Sequence, residues 1–337
     1  MKIRNALLIA SSVLLAFSAS AQTIVYLGGS GTGHYSTLQA AVNALPSGGG
    51  EVQIAAGTYT GQTTISKPNV WLIGEGSAAS STVLTDNLSA GGTGSDEASS
   101  TVIVTKTATG FYAKNLTIQN TFGTGSQAVA LFLQADESVL RTVDILGNQD
   151  TLYAGSEGCG SSTCTPARQY FYDCYIQGNV DFIFGDGAAV FDSSTMQINE
   201  NGSVSGETTL TAQNRHFTNY LSGYVFWHST IRSESGSQTN DYLGRPWSSL
   251  AYVVAVDCDL SAPINTAGWI EWEPGTTNYL STAYYAEYGS TGTGAIGYTD
   301  KEREKYAVYL TSTQANAFTP DTFLAGSNSW VPTSVNH

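Results

Sequence analysis

A carboxylate within an apolar stretch is the first sign of chemistry in this sequence. Asp181 lies in GNVDFIFGDG (178–187), where it alternates with Val180, Phe182 and Phe184. That alternation predicts a buried β-strand in which the three apolar side chains point inward and Asp181 points outward. An unpaired buried charge is costly, so Asp181 requires either a partner or an open cleft in which it has a task.

A second group of polar residues has types that fit the same chemistry. These residues are Asp150, its neighbour Gln149, Gln127 at the start of an apolar strand, Arg245, and Trp247 close behind it. Two carboxylates near a guanidinium can support nucleophilic or acid–base chemistry. Taken alone, each residue has an ordinary structural interpretation: a turn aspartate, a solvated glutamine, a packed Arg-Pro-Trp corner. The function therefore depends on whether the fold brings them together.

A weak repeat indicates which fold positions these side chains. Its segments, each an apolar pair, a short polar step and another apolar strand, lie at 111–118, 139–145, 170–176, 190–198, 225–231 and 254–260. They recur at intervals of roughly twenty to thirty-five residues, as solenoid repeats do. The repeat predicts an all-β chain: a single-domain right-handed parallel β-helix, in which each coil buries its inward side chains against its neighbours. A β-sandwich is the alternative, but it should show clearer hairpin turns. The Gly/Ser-rich stretches 89–100 and 157–167 are predicted to be excursions from the coil.

The open ends of a β-helix expose unpaired strand edges, which must be covered. The stretch HYSTLQAAVNALP (34–46) predicts a short N-terminal capping helix, with Ser36 as its cap and Pro46 after its end. Its apolar positions recur at helical spacing: Leu38, Ala41, Val42 and Leu45. The stretch 300–324 predicts a helical turn or two that covers the other end.

The first residues predict export. Two basic residues, an apolar run and the small-residue sequence ASA predict a secretory signal peptide over 1–21, leaving one domain over 22–337 and a secreted, extracellular protein. The apolar run is short for a membrane anchor. The formal net charge of -14 and the sequence pI near 4.5 argue against nucleic acid and anionic membranes as partners.

The cysteines fit an exported protein. Cys159 and Cys164 bracket a Gly/Ser-rich loop and are predicted to form a disulfide. Cys174 and Cys258 lie in hydrophobic strands, where a buried free thiol is expected. The four histidines have no metal-ligand spacing, so no metal or other cofactor is predicted.

Several long motifs in one order resemble the pectin methylesterase (pectinesterase) family. They are QAVAL, GNQDTLY, CYIQGNVDFIFGDG, LGRPW and YYAEYGSTGTGA, with IGEG, LTIQNT, LTAQNR and GWIEW in support. The resemblance extends from about Tyr26 to about Leu324. The family's fold is a right-handed parallel β-helix, in agreement with the repeat.

The resemblance implies hydrolysis of the C6 methyl esters of galacturonate units in pectin, giving methanol and pectate. It implies that Asp181 is the nucleophile and Asp150 the general acid/base. Gln127 and Gln149 match the pair that stabilises the oxyanion, and Arg245 matches the residue that orients the nucleophile.

The resemblance also implies a set of substrate contacts. Trp247 matches an aromatic that touches the sugar, and the further candidates are Tyr153, Val180, Phe182 and Trp272. Tyr153, Val180 and Phe182 have the alternative role of filling the coil interior, and for Phe182 that role is favoured. The partner implied is methyl-esterified pectin, acted on by a monomer.

Two departures from the family pattern stand out. Gly61 occupies a position where the family often has glutamate, and the disulfide loop between Asp150 and Asp181 lengthens their spacing. We expect that loop to wall the cleft. Alternative functions are a β-helix pectate lyase or glycosidase, since paired carboxylates serve there too, and a non-catalytic carbohydrate-binding solenoid.

Overall fold

Three parallel sheets surround one core in the computed structural model, which describes residues 22–157, 159–199, 206–234, 240–295, 303 and 305–336. The predicted signal peptide lies outside these residues. In chain order the strands are β1 (Ile24–Leu27), β2 (His34–Tyr35), β3 (Gly50–Ile54), β4 (Gly57–Thr60), β5 (Thr63–Ile65), β6 (Val70–Gly74), β7 (Thr82–Asp86), β8 (Val102–Val104), β9 (Tyr112–Asn120), β10 (Leu131–Leu133), β11 (Ser138–Leu146), β12 (Leu152–Ala154), β13 (Arg168–Tyr172), β14 (Tyr175–Gly178), β15 (Ile183–Gly185), β16 (Ala188–Asp192), β17 (Thr195–Ile198), β18 (Thr208–Thr209), β19 (Thr211–Gln213), β20 (Gly223–Trp227), β21 (Thr230–Ser233), β22 (Asp241–Tyr242), β23 (Arg245–Pro246), β24 (Tyr252–Val256), β25 (Asp259–Leu260), β26 (Tyr284–Tyr288) and β27 (Val308–Tyr309). The helices are α1 (Leu38–Ala44), α2 (Ala90–Thr93), α3 (Asp96–Ser99), α4 (Ser312–Ala315) and α5 (Pro320–Phe323).

Each coil passes through the three sheets in turn. Sheet 1 runs β2-β1-β3-β6-β9-β11-β13-β16-β20-β24-β26-β27, in parallel pairs throughout. Sheet 2 runs β4-β7-β9-β11-β14-β17-β21-β25, with β9 and β11 continuing into it from sheet 1. Sheet 3 runs β5-β8-β10-β12-β15-β19-β23. This is the right-handed parallel β-helix that the repeat predicts, and that prediction is confirmed.

The corner between sheets 1 and 2 repeats one backbone conformation. A non-glycine residue with φ between 49° and 54° turns the chain there in six coils: Asn115, Thr142, Asp173, Ser193, His228 and Asp257. Left-handed backbone is uncommon for such residues, so its repetition shows that coil geometry dictates it. Inside the coil, Phe171, Phe191 and Phe226 share one register and stack with ring centroids 4.8 and 5.0 Å apart. That spacing matches the distance between neighbouring strands.

The N-terminal helix starts one residue later than predicted. Thr37, rather than Ser36, caps α1: its hydroxyl accepts the Ala40 N–H at 3.2 Å. His34 and Tyr35 are unavailable for the helix because they form β2 beside β1. Leu38, Ala41 and Val42 face the core as expected. At the other end of α1, the Lys67 ammonium donates to three helix-end carbonyls, those of Val42, Asn43 and Leu45.

The helical turns of the C-terminal segment do not cover the far end of the coil, where β27 is the last strand of sheet 1, so the predicted helical cover is wrong. These turns, α4 and α5, instead pack along the outer face of sheet 1, where buried residues from β6 to β26 form one cluster with Phe318, Phe323 and Leu324. The outer face of sheet 1 is rich in valine, so it requires this cover. Arg168 fixes the segment, donating to Ala325 O at 3.1 Å while pairing with Asp136 at 2.7 Å.

The cysteine predictions are confirmed. Cys159 and Cys164 form a disulfide, and Cys174 and Cys258 are buried free thiols. Each thiol follows a left-handed corner residue and donates to carbonyls of its own coil and the preceding one. Burial raises the pKa of both thiols to about 12, so they are packing groups rather than nucleophiles.

Candidate active site

Asp150 and Asp181 occupy equivalent positions in neighbouring coils. Leu152 of β12 pairs with Ile183 of β15, and each aspartate lies two residues before its strand. Both sit at the corner between sheets 2 and 3 with left-handed backbone, φ 59° for Asp150 and 50° for Asp181. The Asp150 N–H donates to Val180 O at 3.0 Å, which joins the two corners directly. A gap of 31 positions in sequence thus becomes one strand spacing, about 4.8 Å.

The corner overturns the predicted alternation of 178–187. Strand β14 ends at Gly178 and β15 begins at Ile183, so the residues between them turn rather than extend. The left-handed residue Asp181 breaks the period of two. Phe182 and Ile183 therefore both lie in the interior cluster, whereas Phe184, predicted to point inward, faces the cleft.

Arg245 holds Asp181 through two hydrogen-bonding nitrogens. Its Nε lies 2.9 Å from Oδ1 and its Nη2 lies 2.6 Å from Oδ2 of Asp181. Burial works against the charge of Arg245, but the hydrogen bonds and charge of Asp181 outweigh it and raise the Arg245 pKa. Such a bidentate pair balances the charge of the carboxylate and holds it in one rotamer.

The register explains how Arg245 reaches Asp181. Phe184, Ala212 and Arg245 are consecutive in one row on the outer face of sheet 3. Because Ala212 is small, the long Arg245 side chain can cross its coil to the aspartate. Thr209, in the coil between them, also holds Asp181. Its hydroxyl donates to Asp181 Oδ1 at 2.7 Å and accepts the Asp181 N–H at 2.8 Å. The sequence gives no sign of Thr209, because only the strand register places it there.

Asp150 has the opposite environment. It is buried, and its Oδ1 has no hydrogen-bond partner within the described part of the chain. Burial raises its pKa well above the ordinary value, and the charges of Asp181 and Asp96 raise it further against the opposing effect of Arg245. The two neighbouring aspartates therefore have unlike environments, one paired with a guanidinium and the other buried without a partner for Oδ1.

Gln127 and Gln149 line the same cleft, which has a volume of about 220 Å³. Among the described residues, neither side-chain amide makes a hydrogen bond, so both have N–H groups available to a ligand. The structure thus brings all five predicted catalytic residues to one cavity. They come from four coils, with Gln149 and Asp150 adjacent in one of them.

An aromatic row extends along the cleft across successive coils. The rings of Phe132 and Tyr153 stack at 4.0 Å, and Tyr153 meets Phe184 edge-on at 5.1 Å. Trp247 and Trp272 line the cleft at the other end, where Arg245 lies 4.4 Å over the Trp272 ring. Faces of this kind suit the apolar faces of sugar rings. Sequence reasoning missed Phe132, whose register with Tyr153 is the only sign of it.

Two of the predicted substrate contacts are placed elsewhere. Phe182 is fully buried in the coil interior, so its assignment to substrate is corrected to a packing role. Val180 is half-buried at the corner, and it does not line the cavity around the aspartates. Trp247, at 36% exposure, and Trp272 line that cavity. Tyr153 does not line it, but its ring packs against Phe184, which does.

Asp96 is a cleft residue that sequence reasoning missed. It begins α3, within the predicted excursion 89–100, and its side chain lines the cavity that holds both aspartates. Nothing in the Gly/Ser-rich composition of that stretch distinguishes Asp96 from a solvated loop residue.

The disulfide loop leaves the coil between sheets 3 and 1, whereas the two aspartates lie between sheets 2 and 3. None of its described residues lines the cavity around the aspartates. Cys164 lines a separate cavity of about 580 Å³ beside the C-terminal segment. The loop starts where the Ser156 N–H donates to Asp186, between sheets 3 and 1. The expectation that it walls this part of the cleft is therefore wrong.

The raised pKa of Asp186, at the base of that loop, predicts that the free energy of unfolding depends on pH. Burial raises its pKa from 3.8 to about 6, against the hydrogen bond from the Ser156 N–H. A raised carboxyl pKa adds stability that is complete below pH 4 and is lost as the pH rises through 6, roughly 3 kcal/mol in all. We expect Asp186→Asn to remove this loss, because an amide keeps the acceptor without the charge.

Denaturant unfolding at pH 4 and pH 7.5 measures the effect. The wild type should lose more free energy of unfolding between these values than Asp186→Asn does. Asp259→Asn, at an exposed position on another strand, is the control and should behave like the wild type. Parallel pH profiles for the wild type and Asp186→Asn would contradict the prediction.

Among the described residues, no group of three or more His, Cys, Asp or Glu side chains is placed to hold a metal ion. No helix in the same part of the chain has the length and apolar character needed to cross a membrane.

Known proteins resemble this chain in sequence and in architecture. The Pectinesterase family model matches residues 24–327. A pectinesterase of Daucus carota is 34% identical over 318 residues, covering 91% of this chain and 94% of that protein. "Probable pectinesterase/pectinesterase inhibitor 6" of Arabidopsis thaliana is 37% identical over 310 residues, covering 89% of this chain and 52% of that protein. The chain thus spans about half the length of several curated relatives that it matches.

Solved structures give the same answer. The pectin methylesterase from carrot superposes with a TM-score of 0.78 at 31% identity, covering 97% of this chain and 99% of that one. A pectin methylesterase in complex with a hexasaccharide superposes with a TM-score of 0.73 at 26% identity, covering 93% and 99%. Family model, relatives and fold agree on one assignment: this chain belongs to the pectinesterase family.

Proposed function

We propose that this protein hydrolyses the C6 methyl esters of galacturonate units in pectin, releasing methanol and leaving pectate. The observation that carries the proposal is the pairing of unlike aspartates in one cavity. Asp181 is paired with the guanidinium of Arg245, and Asp150 is buried with an unpartnered oxygen among the described residues. A nucleophile and a proton donor side by side are the requirements of acyl transfer.

The first step forms an acyl-enzyme. The Asp181 carboxylate attacks the ester carbonyl carbon, and the carbonyl oxygen becomes an oxyanion. The amide N–H groups of Gln127 and Gln149 stabilise that charge, each worth on the order of 3–4 kcal/mol in such sites. Asp150 gives its proton to the departing methoxy oxygen, the carbon–oxygen bond breaks, and methanol leaves. The product is an anhydride between Asp181 and the sugar carboxyl group.

The second step restores the enzyme. Asp150, now ionised, takes a proton from water, and the hydroxide portion adds to the anhydride carbonyl. The anhydride breaks, which frees the galacturonate carboxyl group and returns Asp181 to its carboxylate form beside Arg245. Asp150 again carries a proton, so two similar side chains exchange roles within one cycle.

The aromatic row supports a polymeric substrate. Trp247, Trp272 and Tyr153 lie along the stacking axis, so a chain of sugars following the cleft would cross several coils. Solved relatives include a pectin methylesterase in complex with a hexasaccharide. We propose methyl-esterified pectin as the ligand of this cleft.

We also propose that the protein is exported. The support is the signal-peptide pattern at 1–21 together with the Cys159–Cys164 disulfide, since disulfides persist in oxidising compartments. Export would place the enzyme where a cell-wall polysaccharide is available.

Methanol release from highly methylated pectin tests the function. We expect methanol and acid to appear in equal amounts while the polymer keeps its chain length, measured by viscosity or size-exclusion chromatography. Shortening of the polymer would indicate a lyase or glycosidase instead. Binding without either product would indicate a carbohydrate-binding solenoid.

A further inference from the structure

We propose that Asp96 makes this enzyme select pectin by the methylation of the sugar next to the reacting one. A free carboxylate at that neighbouring position would be excluded, whereas a methyl ester would be accepted. The inference rests on the proposed function and adds a specificity-determining residue to it.

The position of Asp96 along the cleft supports this role. Strand β8, which follows α3, lies two strands from β12, about 10 Å along the stack and on the Asp150 side. Trp247 and Trp272 lie on the opposite side, beyond Asp181. Asp96 lines the cavity on this side, so a polymer that runs along the stack with its ester group at Asp181 would bring an adjacent sugar toward Asp96.

The backbone around Asp96 is fixed. The Gln62 amide donates to Ala98 O and Ser100 O at 3.0 and 2.9 Å, and Asn120 donates to Ser99 O at 2.9 Å. The Ser95 hydroxyl caps α3 by accepting the Ala98 N–H at 3.1 Å. A side chain on such a tethered turn is positioned before substrate arrives.

The charge of Asp96 is not compensated. Among the described residues, none donates a hydrogen bond or forms an ion pair with its carboxylate. Arg245 is the only cationic residue among the described residues that line the cleft, and it already forms an ion pair with Asp181. Asp96 is half-buried and close enough for its charge to raise the pKa of Asp150.

This arrangement distinguishes the two forms of a neighbouring galacturonate unit. A methyl ester is neutral and brings no repulsion, but a free carboxylate brings a second negative charge close to the first. In a partly desolvated cleft such a like-charge contact reduces binding by about tenfold or more. The repulsion weakens as salt screens it.

The test compares kcat/KM for methanol release from highly and sparsely methylated pectin. We expect Asp96→Asn to raise kcat/KM on the sparsely methylated polymer about tenfold more than on the highly methylated one at low salt, with the gain fading in about 0.5 M salt. Asp96→Glu, which keeps the charge, should retain the wild-type preference. Glu97→Gln removes an exposed charge from the adjacent position of α3 and is the matched control; it too should retain the preference.

Equal changes on both substrates in Asp96→Asn, or an equal selective gain in Glu97→Gln, would overturn the role of Asp96. The wild-type measurement separates this failure from that of the proposed function. Methanol release by the wild type, with no change of preference in Asp96→Asn, leaves the esterase intact and removes only the selectivity. No methanol from either substrate would remove both.

Discussion

Asp181→Asn should lower methanol release from methylated pectin by at least about 10³-fold, because an amide cannot attack an ester as a carboxylate does. Asparagine has nearly the same shape and tolerates left-handed backbone, so the corner should survive. It can still accept from Thr209 and Arg245. The loss should therefore fall on kcat and leave the β-sheet signal in circular dichroism unchanged.

The matched control is Asp173→Asn. Asp173 lies in the same coil with the same left-handed backbone, φ 52°, but at the corner between sheets 1 and 2 and exposed to solvent. It should retain wild-type turnover. Activity within tenfold of wild type in Asp181→Asn would remove the nucleophile assignment.

Asp150→Asn should lower methanol release by about 10² to 10⁴-fold, the range for loss of a general acid and base. An amide can neither protonate the leaving methoxide nor take a proton from water. The raised pKa of Asp150 also predicts that wild-type kcat/KM declines as the pH rises through that value, because the acid form is then lost.

The pH dependence of the variant's residual activity tests the assignment of Asp150 more directly. In Asp150→Asn the alkaline decline of kcat/KM should disappear, whereas Asp173→Asn should keep it. A decline that persists unchanged in Asp150→Asn would assign it to another group.

Much of the site was predictable because a β-helix places one short segment per coil. Gln127, Asp150, Asp181 and Arg245 were named by resemblance to the pectinesterase family, and the order of the motifs along the chain becomes adjacency along the stack. The fold followed from the repeat for the same reason, since parallel coils bury the same apolar positions each time.

The errors arose where backbone geometry departs from a simple period. Left-handed Asp181 reverses the expected faces of Ile183 and Phe184 but not that of Phe182, and local sequence does not signal that φ. Thr209 depends on the register of a later coil, and Asp96 lies in an excursion with no periodicity. The C-terminal helices were misplaced because the apolar outer face of sheet 1 exists only once the strands have assembled.

The central claim is that Asp150 carries a proton while its neighbour Asp181 does not. Infrared difference spectroscopy of wild type against Asp150→Asn at pH 6 tests it without substrate. We predict loss of one C=O stretching band of a protonated carboxyl group in the variant, with Asp181→Asn removing a carboxylate band instead. Loss of only a carboxylate band in Asp150→Asn would contradict the mechanism, because no proton would then be available for methanol.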